Sequence, residues 1–152
     1  MKSFVGVIAL MALAGCGKKI EPLQAATNSK YHPGDEYSFA GRKGDENPHF
    51  LVLKVDAHPK EGNIVHVAIN GVRIANPKAP KGYSDSIGHF PISEAALDKS
   101  GPKFLKTGSP LPDFKEAYQL WRKPFDEGKA GMWTAPLAEC LQALDDASKR
   151  SQ

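Results

Sequence analysis

Chemistry-bearing side chains crowd into one stretch of this sequence: Lys78, Lys81, Tyr83, Ser84, Asp85, Ser86 and His89 all lie within residues 76–92. Serine, aspartate and histidine are the residue types of a nucleophile, its orienting acid and its base. That chemistry needs a hydroxyl within hydrogen-bond reach of an imidazole held by a carboxylate, and order along the chain does not reveal such a geometry. The sequence holds no GxSxG elbow, no HExxH, no P-loop and no CxxC pair, so no catalytic residue is assigned. A binding role is the stronger expectation. The stretch carries three prolines and two glycines without lasting periodicity, which predicts an aperiodic loop over residues 75–93, and long loops of this kind tend to carry function. Tyr83 offers an aromatic contact that loses little entropy on binding, flanked by Lys81, Asp85 and His89. The structural alternative is an arm pinned over a sheet edge by Tyr83, Ile87 and Phe90.

The five histidines, His32, His49, His58, His66 and His89, show no ligand spacing, and the nearest approach to a pair is His49 with His66 on neighbouring predicted strands. No metal and no cofactor is expected. Cysteine is equally sparse, with Cys16 and Cys140 alone. Cys140 sits in Leu137-x-x-Cys140-Leu141-x-x-Leu144, the spacing of one helix face, which predicts an inert buried thiol. Trp121 and Trp133 have the chemistry of a sugar-stacking platform, but Trp121 falls on an apolar helical stripe and is expected in the core.

The N-terminus speaks to location. Met1-Lys2-Ser3 carries one positive charge, and the apolar run Phe4-Val5-Gly6-Val7-Ile8-Ala9-Leu10-Met11-Ala12-Leu13 that follows is half the ~20 residues a membrane-spanning helix needs. It matches the central region of an export signal. The run ends in Leu13-Ala14-Gly15-Cys16, which resembles the lipobox of bacterial lipoproteins. The resemblance covers residues 1–17 only. It implies cleavage before Cys16, a diacylglycerol on its sulfur and a further acyl chain on its new amino group, enough for stable membrane attachment. Acylation also leaves Cys140 without a partner for an internal disulfide. Gly17, in place of the aspartate that commonly retains such proteins at the inner membrane, points to the outer membrane with the domain facing the periplasm.

The elements that must position these residues are legible in part. The 152 residues are 41% hydrophobic and 24% charged, with a formal net charge of +3, which suits one globular domain and is too small an excess to argue for a nucleic-acid groove. Residues 1–15 read as the signal peptide, 16–32 as the lipidated cysteine and a tether, 33–148 as a single domain and 149–152 as a polar tail. After the turn Pro33-Gly34-Asp35, alternation predicts a strand over 36–39, a β-rich run a second over 49–55 and further alternation a third over 64–69. Asn70-Gly71 is the dipeptide of a two-residue hairpin, which would pair Ile69 with Val72 and Val67 with Ile74 on one face. Tyr37, Phe39, Val65, Val67, Ile69, Val72 and Ile74 are thus candidate core.

A helical turn follows over 93–98. A longer helix starts near Asp113, with Phe114, Ala117, Tyr118, Trp121 and Phe125 on one face and Pro124 expected to kink or end it. A last helix, capped by Thr134, runs over 136–147. The fold class is therefore α+β: an antiparallel meander of about four strands, either a sheet or an open SH3-like barrel, packed with two C-terminal helices. Three functions of different kinds suit it: a non-catalytic binding module with a protein partner in the envelope, an immunity lipoprotein that neutralises a secreted antibacterial toxin, and a small envelope hydrolase built on the Asp85 and His89 region.

Overall fold

In β4 (Gly62–Ala75), Val65, Val67 and Ile69 enter one core cluster, while Ile64, His66 and Ala68 turn to the opposite face, and all six are buried. A strand covered on both faces must be central, and β4 is flanked by β3 (His49–His58) and β5 (Tyr83–Ser93). The computed structural model describes residues 22–151, so the expected signal peptide and Cys16 lie outside the described residues. With β1 (Gln24–Ala25), β2 (Glu36–Ser38) and β6 (Lys103–Lys106), the strands form one open six-stranded antiparallel sheet in the order β5-β4-β3-β2-β6, with β1 paired to the far end of β3. The helices α1 (Glu94–Asp98) and α3 (Leu137–Arg150) close one face of it, through Leu97, Leu137, Cys140 and Leu141. The other is covered by α2 (Lys115–Asp126), with Trp121 and Phe125 on Ile64, and by Phe114 on Leu51, Leu53 and Ala68. The α+β class holds, as an open sheet with more strands than the four expected.

Asn70-Gly71 does not turn the chain back. β4 runs straight through it, and the pairing with β5 jumps from Asn70↔Ser86 to Ile74↔Ser84, the signature of a bulge. Gly71 has φ +74°, and a Cβ there would run into the carbonyl oxygens of Glu46 and Asn47, so the site demands glycine. The Gly71 carbonyl accepts from Glu46 N–H at 2.9 Å, tying the 40–48 loop to the bulge. Across this irregular stretch the inward positions pass from odd to even numbers, as they would across a two-residue loop. Val67, Ile69, Val72 and Ile74 therefore still share one core cluster.

The expected loop over 75–93 is also corrected. Only 76–82 turns, closed by Asn76 N–H to the Gly82 carbonyl at 2.9 Å, and β5 follows. Its alternation is hidden by a second bulge, where Val67↔Phe90 gives way to Ile69↔Ile87, and by Pro91. The Pro91 carbonyl accepts from Trp133 N–H at 2.9 Å, away from β4. Its imino nitrogen faces the same way, so proline costs the β4–β5 ladder nothing.

The stretch expected as a tether is docked from residue 22 onward. Leu23 and Tyr31 are buried, β1 pairs with β3, and the Tyr31 hydroxyl donates to Asp98 at 2.7 Å. α1 forms within the helical turn expected over 93–98 and is capped by Ser93, whose hydroxyl accepts from Ala96 N–H. α2 continues two residues past Pro124. The carbonyl this proline leaves unpaired belongs to Leu120, which is 71% exposed, and Gly128 at φ +72° ends the element. α3 is capped by a distant residue rather than by Thr134: Ser100 Oγ accepts from Leu137 N–H at 2.9 Å and donates to the Ala96 carbonyl. The helix also outruns its expected end at 147, because Asp145 is buried and accepts from Ala75 N–H and Lys149, both at 2.7 Å. Cys140 is a buried free thiol, and burial pushes its pKa up.

Candidate functional site

Three of the four residues nominated as a binding face meet. Lys81, Tyr83 and Asp85 line a cleft of about 340 Å³ where the 76–82 turn enters β5, together with Gly44, Glu46, Asn70 and Arg73. Arg73 is the residue sequence reasoning missed: its guanidinium lies over the Tyr83 ring, 4.2 Å from the centroid. An adjoining cleft of about 370 Å³ shares Arg73, Lys81 and Tyr83 and reaches Lys43, Gln142 and Lys149.

Arg42 fixes the ground between the clefts. Its guanidinium grips the Asp45 carboxylate through two nitrogens, at 3.1 and 2.8 Å, and donates to the carbonyls of Arg73 at 2.9 Å and Leu141 at 3.2 Å. One side chain thus joins the 40–48 loop, β4 and α3. Asp45 also accepts from the backbone N–H of Arg73 at 3.1 Å, so the bases of Arg73 and the loop are held in one network.

His89 is placed elsewhere. Its imidazole stacks on His66 under α2, with Nε2 3.0 Å from His66 Nδ1. His66 is completely buried, and its Nε2 lies 2.9 Å from Asp56 Oδ2. A carboxylate can only accept, so His66 Nε2 carries the proton, His66 Nδ1 accepts, and His89 Nε2 donates to it. Tyr118 from α2 donates to the same Asp56 oxygen at 2.8 Å and accepts from Arg122 at 2.9 Å, while Lys54 pairs with Asp56 Oδ1 at 2.9 Å. Burial alone would raise Asp56, but the hydrogen bonds from His66, Lys54 and Tyr118 outweigh it and hold the carboxyl at about 2. Burial lowers His66 despite Asp56, and it takes His89 down to about 4. Tyr118 rises to about 12 through burial and its bond to Asp56.

This row is an anionic carboxylate and two neutral imidazoles beneath a helix. His49 has no part in it, because the β3–β4 register pairs His49 with Asn70 and Lys54 with His66. Nor do Ser84, Asp85 and His89 form a hydrogen-bonded triad: Ser84 Oγ accepts from Asn76, and His89 bonds His66. Among the described residues no group of three or more His, Cys, Asp or Glu side chains is arranged to hold a metal ion. Trp121 packs edge-on against His66 at 4.8 Å and tilted on Phe125 at 4.6 Å, with its indole N–H on the Gly131 carbonyl at 2.8 Å. No protein-family model matches the chain, and comparison with curated proteins and with solved structures gives no significant match.

Proposed function

We propose that the protein is a cell-envelope lipoprotein, anchored in the outer membrane through acyl chains on Cys16, whose periplasmic domain is a non-catalytic binding module. The binding face is the end of the sheet where Lys81, Tyr83 and Asp85 meet. One observation supports this reading: Lys81, Tyr83 and Asp85 line a single cleft, with the Arg73 guanidinium held over the Tyr83 ring beside them. His89 does not belong to that face. It helps to hold α2 on the sheet instead.

Two measurements test this reading. The complete lipobox predicts that wild-type protein incorporates a clickable fatty acid and that Cys16→Ser abolishes the label. Equal labelling of both would remove the anchor. For the face, the double change Tyr83→Ala and Asp85→Ala should leave the melting temperature within about 4 °C of wild type. It should weaken capture of an envelope partner from detergent extracts by about 2 kcal/mol. A stable double variant that captures as well as wild type would displace the binding face from this cleft.

A further inference from the structure

The two adjoining clefts differ in chemistry. In the larger, the lining cations Arg42, Lys43, Arg73, Lys81 and Lys149 face one acid, Asp145. Asp145 is already committed to Lys149 and to Ala75 N–H, and the guanidinium donors of Arg42 go to Asp45 and two carbonyls. Lys43, Arg73 and Lys81 have no carboxylate within ion-pair distance among the described residues. Three unneutralised cations on one concave surface exceed what a single carboxylate balances, and they match the charge and oxygen count of a phosphate. The smaller cleft, which shares Arg73 and Lys81, is lined instead by acceptors: Glu46, Asp85 and the amide oxygen of Asn70. Acceptors of that kind repel phosphate and take hydroxyl donors. Each cleft falls within the ~300–1,000 Å³ of ordinary small-molecule sites.

We propose that the paired clefts form a site for a phosphorylated sugar, with phosphate against Lys43, Arg73 and Lys81 and ring hydroxyls against Glu46 and Asp85. The assignment rests on the binding-module reading and names its ligand class. Arg73 is ready for the role: its backbone N–H bonds Asp45, its carbonyl accepts from Arg42, and its guanidinium lies over the Tyr83 ring. Little order remains to be gained on binding, and this favours affinity from a small contact.

The test is a two-dimensional amide NMR titration of the full chain in a neutral detergent, with glucose 1-phosphate, inorganic phosphate and glucose as separate probes. Monophosphoryl lipid A doped into the micelles presents the same chemistry on a lipid. Glucose 1-phosphate should move the amides of Gly44, Gly71, Arg73 and Gly82 and bind roughly tenfold tighter than either phosphate or glucose. Arg73→Gln and, independently, Lys81→Gln should each weaken it by about tenfold, the range for one charge-assisted hydrogen bond. Glu46→Gln should weaken glucose 1-phosphate while leaving inorganic phosphate unchanged or tighter. Response to the free sugar phosphate places the source in solution or on a polymer, response to the doped micelle alone places it on a lipid, and either supports the site. Shifts scattered over lysines of the opposite edge such as Lys103 and Lys106, indifference to Arg73→Gln, or silence with every probe would overturn it. If the probes are silent but the Tyr83/Asp85 variant still loses its partner, the ligand class falls and the binding module stands. If the sugar phosphate binds and capture is untouched by that variant, the sugar-phosphate site stands and the face that captures the envelope partner lies elsewhere.

Discussion

Arg42→Ala is expected to destabilise the domain by about 3–5 kcal/mol, the cost of removing one partner from a buried ion pair. The Arg42 side chain is 11% exposed and that of Asp45 1%, so the orphaned carboxylate has almost no access to water. The Arg73 and Leu141 carbonyls lose a donor in the same step, so the 40–48 loop loses its side-chain tie to α3 and keeps only its backbone and Asp45 bonds to β4. Urea unfolding should show a lower midpoint with an unchanged slope. The double variant Arg42→Ala/Asp45→Ala should be less destabilised than the sum of the single changes, because no uncompensated charge is left behind. A single variant within 1 kcal/mol of wild type, or strict additivity in the double, would strip Arg42 of this role.

Acid should loosen the α2 face before it protonates the carboxylates. His89 is held at about 4, below the ordinary 6.5, and His66 is lowered as well, in both cases by burial. Between those values the unfolded chain binds protons that the folded chain refuses. Stability is therefore complete above about pH 7.5 and is lost as pH falls from 6.5 towards 4. For His89, allowing for solvent screening of a half-buried ring, the loss is on the order of 2 kcal/mol, and His66 adds to it in the same direction. Asp56, held at about 2, withdraws its own contribution only below the ordinary carboxylate range. Melting wild type and His89→Gln at steps from pH 7.5 to 4.5 checks this. The variant should have the shallower dependence, and parallel curves would show that the imidazole pair does not couple to folding.

Why some of this was legible in the sequence and some not comes down to which signals are local. Alternation marked inward residues of β2 and β4, a β-rich run located β3 without assigning its faces, and helical spacing placed Tyr118, Trp121 and Phe125 on one face of α2 and Cys140 inside α3. Partner choice is not local. At Asn70-Gly71 a bulge and a hairpin produce the same inward pattern, and only the presence of β5 on the other side decides between them. β5 itself was hidden because a bulge and a proline break its alternation, and β6 because Lys103-Phe104-Leu105-Lys106 is exposed throughout and Phe104 itself is 58% exposed. The same limit applies to the site. Lys81, Tyr83 and Asp85 were visible as a cluster because they are neighbours in the chain. Arg73 and Arg42 were not, since their meaning lies in contacts across 10 and 99 positions, with Tyr83 and Leu141. Asp56 left no such trace: it lies one residue past the β-rich run expected over 49–55, and its role comes from His66 on the neighbouring strand and Tyr118 on α2.

The docking of β1 gives the molecule two poles. Pro22 lies with Ala57, His58 and Pro59 at the β3–β4 turn, and the six residue steps from Cys16 to Pro22 span at most about 22 Å even fully drawn out. Arg73 stands near the opposite end of β4, at most about 36 Å from Gly62 at about 3.3 Å per residue. With Cys16 acylated as proposed, the chain leaves the lipid towards the β3–β4 turn, the pole opposite the clefts. The separation of the two poles is several times the ~8 Å over which salt screens charge at physiological ionic strength. Upright on that attachment, the domain holds Arg73 and Lys81 beyond the reach of its own leaflet's anionic headgroups and turns the cationic pole towards the aqueous layer.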